Sequence, residues 1–514
     1  MPTHNLASDP FELSYSAKTL ADSFDYVLPA VEIFQESPRI HPVWPSGFPI
    51  MLATVIKLFG FSEQTLRLFT ILLGVFLVYI TIKIAELLFS RNIAIVSGIL
   101  VAVHPLLVSF NSRIFTNNAA VLFYFIAFYF LLKSLLTNGK ELLFCSLEDL
   151  YFDKNRLFYL LLFFLTSGYL LTIRDTFVIL SIVPLYIIFI SKIFYPFHQI
   201  NKSIFLKTFL FSICSFFIGF SPSLYFNYKL YGHIFTSTHA EYGASLDFRS
   251  LLFGGADGLV IPGLIIILFT FLIYCTPVLS MFFHKNKTRP GIFILHCCLL
   301  ALIPIIVVNG SYFPTFSGAS PRYILPLIPF ACIYTSVLLQ YLLKHSKTRT
   351  YNYFMVSLSL WHLYLYYPFP ITFRLTPKLA FLGMYAPYYQ KYSYYNYPDF
   401  STQMALWVKS NTPSNSIIIT PSRLYHFYYY GERDVLNMAN LNKIIKNRLI
   451  SSERPVYFID DQHSAINSKI HDVEKYFIND EMHFNSVDSL KQFSPHKGII
   501  SLQMYLLNNN RINK

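Results

Sequence analysis

Charge is scarce in this chain. Asp, Glu, Lys and Arg together make up 13% of its 514 residues, against 54% apolar residues, a balance that excludes an ordinary soluble globular protein. Carboxylates are the scarcer sign: 27 acidic side chains stand against 40 basic ones, for a formal net charge of +13. An excess of that sign can serve nucleic acid. Here the basic residues cluster in loops between apolar runs, where they meet anionic lipid headgroups, so no nucleic-acid partner is expected. Cysteine is also sparse. Cys145 falls in a basic loop and Cys214, Cys275, Cys297, Cys298 and Cys332 fall in apolar runs. None falls in a polar loop, which argues against disulfides and against a cysteine metal site. The N-terminal stretch MPTHNLASDPFELSYSAKTLADSFDY has neither a basic leader nor an apolar core, so it is not a secretory signal peptide. No H-E-x-x-H, Walker A or G-x-S-x-G motif is present, which removes support from metalloprotease, ATPase and serine-hydrolase readings.

Long apolar runs are what the chain has instead. A hydrocarbon core needs roughly 20 apolar residues per helix, and about ten such runs are legible. They cover residues 66–88, 93–110, 117–136, 157–173, 175–194, 204–225, 261–283, 290–309, 323–343 and 351–368. The loops between them alternate in character. One set carries basic clusters: Lys83/Arg91, Lys133/Lys140/Lys154/Arg156, Lys192/Lys202/Lys207, Lys285/Lys287/Arg289 and Lys344/Lys347/Arg349. The other set is rich in Asn, Tyr, Gly and Pro, with single cations such as Arg113, Arg174, Lys229, Arg249 and Arg322. The positive-inside rule places the first set in the cytoplasm. It leaves the chemically varied residues together on the outer face of the cell (plasma or inner) membrane.

Three regions follow. Residues 1–64 form a polar to amphipathic outer segment, with a proline-broken turn at 41–49 and a helix at 50–59 too short to span the bilayer. Carrying such a polar tail outward takes an upstream apolar helix, so a first transmembrane helix is expected ahead of this stretch. Residues 65–369 form the membrane domain. Residues 370–514 read as a small α/β domain, outside the membrane by parity. In it an amphipathic helix is expected at 398–411, with Phe400, Met404, Trp407 and Val408 on one face. Strands are expected at 416–420, 456–459 and 498–505, and helices at 441–450 and 466–478.

Two arginines on the polar side are the sharpest chemical signals. A cation at the edge of long apolar runs is costly unless it is paired or faces water, and a guanidinium fork matches phosphate oxygens. Arg174 stands in a tight turn, TIRD, where an intramembrane ion pair with Asp175 or a snorkelling side chain would serve equally. Arg322 follows Gly318 and Pro321, with an interfacial anchor as the alternative. Asp9 is an acidic residue of the outer segment that can act as a general base toward an acceptor hydroxyl, or be solvated surface. His41, His233 and His239 lack metal-ligand spacing and suit interfacial hydrogen bonding.

The order of these pieces resembles a known family. Residues 38–74, PRIHPVWPSGFPIMLATVIKLFGFSEQTLRLFTILLG, look like the "HPP-x-Y/G-x-P…LFG-x-S-E-x-x-x-R-L" stretch of the GT-C glycosyltransferases. These polytopic membrane enzymes are related to protein O-mannosyltransferases (glycosyltransferase family 39) and lipid A aminoarabinose transferases. SDPFELSYSAKTL at 8–20 resembles the family's "D-E-x-x-Y…A-x-x-L" segment. GYLLTIRDTF at 168–177 resembles its "G-L-x-x-L-T-R" turn. NYKLYGHIF at 227–235 resembles its "N-x-x-x-G" loop, and SGASPRYILPLIP at 317–329 its "G-x-R-Y-x-x-P-x-x-P" segment.

The resemblance implies a polytopic α-helical membrane protein with a C-terminal α/β extracytoplasmic domain. It implies an enzyme that moves a sugar, with inversion, from a polyprenyl-phosphate donor to an envelope lipid, glycan or protein. By the same carry-over Asp9 is the base and Arg174 and Arg322 hold the donor phosphate. Arg39, His41, Trp44, Asn117, Asn227 and Tyr323 line the cavity. Two positions depart from the family pattern. Pro10 follows Asp9 where a second acid is common, and Asn117-Asn118 stand where many relatives carry an acid after Thr. No cofactor and no essential divalent metal are therefore expected. The alternatives are a polyprenyl-linked glycan ligase or polymerase, a non-catalytic relative, and a non-enzymatic lipid or glycan transporter. The last is disfavoured by the lack of an internal repeat.

Overall fold

The computed structural model describes residues 9–27, 44–111, 113–135, 154–174, 202–234, 325–342, 400–420, 424–437, 448–449, 451–452, 454–461, 482–486 and 502–509. The chain divides into two compact units, Met1–Pro42 with Tyr388–Lys514, and Val43–Pro387. The first helix, α1 (Asp9–Ser23), belongs to the former.

The described part of the larger unit is helical. Its described elements are α2 (Gly47–Phe59), α3 (Glu63–Leu88), α4 (Arg91–Val103), α5 (Pro105–Asn111), α6 (Thr116–Leu135), α7 (Lys154–Ile173), α8 (Lys202–Tyr231) and α9 (Ile328–Leu342). Among the described residues, four helical segments are long and apolar enough to cross a membrane: Glu63–Leu88, Thr116–Ser134, Lys154–Ile173 and Leu206–Leu230. They coincide with four of the expected runs. On α3 the side chains of Leu68, Leu72, Phe76 and Tyr79 follow one another at helical spacing and all are exposed, a stripe that suits a hydrocarbon solvent.

Two expected runs take other forms. Residues 93–110 are not one helix but α4 and α5, parted at His104. Pro105 opens the second helix because its ring supplies no N–H to continue the first. Residues 323–343 begin in a 3-10 turn at Leu325–Leu327, and α9 itself has 15 residues. The runs at 175–194, 261–283, 290–309 and 351–368 lie outside the described residues, as do Cys145, Cys275, Cys297 and Cys298. Cys214 and Cys332 are free thiols.

The LFGFSEQTLRL stretch is a helix–turn–helix joint. Gly60 ends α2 at a φ of 82°, its N–H donating to Ile56 O at 2.8 Å, a backbone region open to glycine. Ser62 caps α3, its Oγ accepting from the Thr65 N–H at 3.0 Å. Glu63 and Arg67 then pair one turn apart at 2.5 Å, both largely buried. The motif therefore fixes the angle between two helices.

Packing within the unit uses aromatics and glycines. Phe330 of α9 meets Tyr124, Phe125 and Phe128 of α6, with ring centroids 5.9, 4.6 and 5.5 Å away. Helices α7 and α8 touch backbone to backbone. A Cβ on Gly168 would sit 2.1 Å from Phe216 O, and one on Gly219 would sit 2.0 Å from Leu165 O. Small residues allow such close crossings where no hydrophobic effect drives helices together. Gly168→Leu is expected to destabilise the helical unit by about 3 kcal/mol, the upper end for overpacking, because the obstructing atoms are backbone. Thermal unfolding in detergent would show it as an earlier transition; an unshifted transition would mean that the crossing is looser than described.

The smaller unit joins α1 to α10 (Phe400–Asn411), α11 (Leu424–Tyr429) and five strands. The strands are β1 (Ile417–Thr420), β2 (Asp434–Asn437), β3 (Val456–Asp461), β4 (Met482–Ser486) and β5 (Leu502–Asn509), in the order β2-β1-β3-β5-β4. β1 runs parallel to β2 and β3, and β5 is antiparallel to β3 and β4. Every residue of β1 is buried, as expected for a central strand covered on both faces. The expected strand at 498–505 is found at Leu502–Asn509. β2 and β4 were not expected: they are four and five residues long and partly polar, and pairing with neighbours outweighs such weak local preference. Of the helix expected at 441–450 only 448–449 are described as helical, and 466–478 lie outside the described residues.

Among the described residues, an aromatic cluster and a buried arginine link elements of this unit. Phe11 and Tyr15 of α1 stack at 4.2 Å, and Tyr15 meets the rings of Tyr428 and Tyr429 at 6.0 Å each. Burial, with the two neighbouring phenols adding to it, pushes the Tyr15 phenol well above its ordinary range. The side chain stays neutral at physiological pH. Buried Arg433 gathers the end of α10. It donates to Lys409 O at 2.8 Å, Thr412 O at 2.6 Å, Thr412 Oγ1 at 3.1 Å, Gly431 O at 3.1 Å and Glu432 O at 3.0 Å. Carbonyls left over at a helix C-terminus need such donors. Arg433→Met is expected to cost about 3 kcal/mol, since several buried acceptors lose their partner at once. Arg433→Lys should not restore it, because an ammonium lacks the planar fork. Hydrogen exchange at the last turn of α10 reads this directly, and unchanged protection would contradict it.

Candidate functional site

The polar residues of the helical unit collect where α7 ends, α6 begins and α2 begins. Helix α7 runs out at Ile173, and the Arg174 N–H still donates to Leu170 O at 2.9 Å. Arg174 thus sits at the negative end of the helix dipole, a favourable place for a cation. It follows directly on a candidate membrane span, yet its side chain is buried, with 7% exposure. Its Nη1 donates a hydrogen bond to Asn117 Oδ1. Asn117 is the second residue of α6 and is itself buried.

The neighbours of this pair fix its two halves. Asn118 donates through Nδ2 to Phe110 O at 2.7 Å and to Arg113 O at 3.1 Å, which ties the turn from α5 to the start of α6. The Arg113 guanidinium lies 5.7 Å from the centre of the Phe110 ring. On α7, Thr172 Oγ1 donates to Tyr169 O at 2.6 Å, and the Tyr169 hydroxyl donates to Gly47 O at 3.0 Å. Gly47 opens α2 and presses on α7: a Cβ there would fall 2.1 Å from Thr172 Oγ1 and 2.7 Å from the Thr172 carbonyl carbon. Only glycine fits that approach. Phe123 of α6 meets Tyr169 at 5.1 Å. Ser46, the residue before α2, is buried, and its Oγ has no hydrogen-bond partner.

Chemically the corner is mixed, since the last carbonyls of α7 bring partial negative charge to it. It holds a buried guanidinium and the first turns of α2 and α6, whose N–H groups carry partial positive charge. Such an arrangement can hold an anion, and a guanidinium fork prefers phosphate or carboxylate oxygens.

The residues expected from sequence fare unequally. Arg174 and Asn117 are brought into contact. Trp44 is buried in the same unit, just ahead of α2. Asn227 is near the end of α8, where its Nδ2 donates to Ile234 O at 3.3 Å and braces the turn closed by Gly232. Asp9 is the first residue of α1, and its side chain is outside the described residues. So are Arg39, His41, Arg322 and Tyr323. Among the described residues no three His, Cys, Asp or Glu side chains lie together as metal ligands would. Sequence reasoning missed Gly47, Tyr169 and Thr172. The Pro-Ser-Gly turn hinted at the first, and the other two stand in the GYLLTIRDTF stretch that resembles the family's turn.

The comparisons with known proteins agree on one architecture. The sequence model described as dolichyl-phosphate-mannose-protein mannosyltransferase matches residues 43–226, the stretch that contains Gly47, Asn117 and Arg174. ArnT from Cupriavidus metallidurans in the apo state superposes with a TM-score of 0.58 at 11% identity, over 98% of this chain and 94% of that one. The same protein bound to undecaprenyl phosphate gives 0.57 at 12%, over 98% and 94%. The archaeal oligosaccharyltransferase AglB from Archaeoglobus fulgidus, in complex with an inhibitory peptide and a dolichol-phosphate, gives 0.55 at 12%, over 99% and 71%. No curated protein matches the chain in sequence. The chain has the fold of the GT-C membrane glycosyltransferases, as the order of its motifs implied.

Proposed function

We propose that the protein is an inverting membrane glycosyltransferase that takes its sugar from a polyprenyl-phosphate donor and passes it to an envelope lipid, glycan or protein. The observation that carries this reading is the buried Arg174 at the end of α7, in contact with the first turn of α6. A cation kept there, beside a membrane span, suits a lipid whose head is a phosphate and whose tail is hydrocarbon. The resemblance to ArnT, seen with undecaprenyl phosphate, and to AglB, seen with a dolichol-phosphate, supports the same donor class. The C-terminal α/β domain and the site face the outside of the plasma or inner membrane in this reading, in accord with the alternation of basic and polar loops.

The reaction then runs as a single displacement. The acceptor oxygen or nitrogen forms a bond to the anomeric carbon from the face opposite the leaving group. The bond from that carbon to the phosphate oxygen breaks, and polyprenyl phosphate departs with the electron pair. Asp9 takes the acceptor's proton. Arg174, with Arg322, meets the charge that develops on the phosphate. Trp44, Arg39, His41, Asn227 and Tyr323 shape the cavity. Asn117 and Asn118 put neutral amides in the first turn of α6, and an amide oxygen holds a divalent ion less strongly than a carboxylate does, so chelation with EDTA is expected to leave the rate unchanged. A rate lost on chelation and restored by metal would contradict that.

Cells deprived of the protein are expected to accumulate a polyprenyl-phosphate-linked sugar. The wild-type chain should discharge that pool and Arg174→Ala should not. An unchanged pool would overturn the reading.

A further inference from the structure

We propose that the basic end of the helical unit carries a site for one anionic phospholipid, where α3, α4 and α6 meet. It lies at the opposite ends of α6 and α7 from the corner at Arg174. Helices α3 and α6 pack on one another, and near their ends both repeat the same step, a tyrosine followed one turn later by a lysine. Lys83 Nζ stands 5.9 Å from the centre of the Tyr79 ring on α3, and Lys133 Nζ stands 5.9 Å from that of Tyr129 on α6. Lys83 pairs with Glu86 at 2.9 Å. The charges of Lys133 and of Arg91, which opens α4, also act on the Glu86 carboxylate. The Tyr129 phenol is within electrostatic range of Tyr159, Lys83 and Tyr79, and Tyr159 of α7 stacks on Phe130 at 6.2 Å. Three cations from three helices thus share one carboxylate, with tyrosines set between them.

The attraction of basic loops for a charged membrane needs no particular arrangement. A site for one lipid needs a place for the head that continues into a place for the tail. On α3 the exposed stripe of Leu68, Leu72, Phe76 and Tyr79 leads one turn further to Lys83, which is also open to the surroundings. An acyl chain laid along that stripe brings its phosphate to Lys83 and to the groups around it. Ammonium and phenol hydroxyl groups both donate to phosphate oxygens. The rings of Tyr79 and Tyr129 restrict where the two ammonium groups stand, and the lysine stems cover apolar surface while their charges stay in the headgroup layer. The last carbonyls of α3 and α6 add partial negative charge. Glu86 adds a full one, and the three cations exceed it. The positive-inside rule turns this end toward the cytoplasmic leaflet, where anionic lipids are found.

Purified full-length protein, stripped of lipid in detergent, is titrated with dioleoyl phosphatidylglycerol or dioleoyl phosphatidylcholine and read by native mass spectrometry. Wild type is expected to fill one site with the anionic lipid at concentrations where the zwitterionic one leaves no adduct. Lys83→Gln should weaken phosphatidylglycerol binding several-fold, and Lys83→Gln with Lys133→Gln by tenfold or more, with phosphatidylcholine unaffected. Gln is a good helix former, so both variants keep their helices. Lys207→Gln removes the same charge from the exposed start of α8 and should change the affinity by less than twofold. A wild type that binds the two lipids equally would overturn the proposal, as would wild-type affinity in the double variant. A loss in Lys207→Gln equal to that in Lys83→Gln would overturn it too, since diffuse attraction would then account for the binding.

Discussion

Arg174→Ala is expected to lower affinity for a polyprenyl phosphate by 100-fold or more, equivalent to about 3 kcal/mol. The size follows from burial. A guanidinium that is 7% exposed meets a phosphate in a medium where charge-assisted hydrogen bonds are little weakened by water. Without it, the described residues of the corner offer a phosphate the N-termini of α2 and α6. Arg174→Lys should recover a small part of the loss, because an ammonium is a compact charge and lacks the rigid planar fork that matches phosphate oxygens. The fold should tolerate both changes better than the ligand does, since the hydrogen bond to Asn117 Oδ1 is worth about 1–3 kcal/mol to a buried amide. Binding isotherms for undecaprenyl phosphate with each variant decide the matter. Equal affinities across the series would remove Arg174 from the phosphate site.

Asp9→Asn is expected to reduce kcat by a factor on the order of 100 to 10,000, the usual contribution of a positioned base, with donor affinity intact. The substitution isolates chemistry from structure. Asp9 is the first residue of α1, and at a helix start Asn serves the backbone about as well as Asp does. The aromatic contacts of Phe11 and Tyr15 with Tyr428 and Tyr429, which hold α1 in its unit, are untouched. What changes is the capacity to take a proton. A variant that keeps the full transfer rate would place the base elsewhere.

The sequence carried the membrane architecture well where length and apolarity alone decide. The runs at 66–88, 117–136, 157–173 and 204–225 are each a helix. It carried less where a single residue redirects the backbone, as at His104-Pro105, because an apolar run records burial and not continuity of hydrogen bonding. Arg174 and Asn117 were both legible as candidates, each for its own reason. Their pairing was not, since 57 residues separate them and no local pattern records a contact of that range. The same holds for α1, whose Phe11 and Tyr15 meet residues of α11 from the far end of the chain. Gly168 opens the GYLLTIRDTF turn, while Gly219 lies in a plain apolar run. Only the crossing of α7 and α8 shows that neither position has room for a Cβ.

A photoreactive analogue of undecaprenyl phosphate, with its diazirine on the isoprene unit next to the phosphate, tests the central claim most directly. Irradiated with the purified full-length protein and mapped by peptide mass spectrometry, it is predicted to label the start of α6 around Thr116–Asn118 and the end of α7 around Thr172–Arg174. That labelling should fall away when excess unlabelled undecaprenyl phosphate is added, and should persist when undecaprenol is added. Adducts confined to other helices, or displaced equally by the alcohol, would contradict a phosphate site at Arg174.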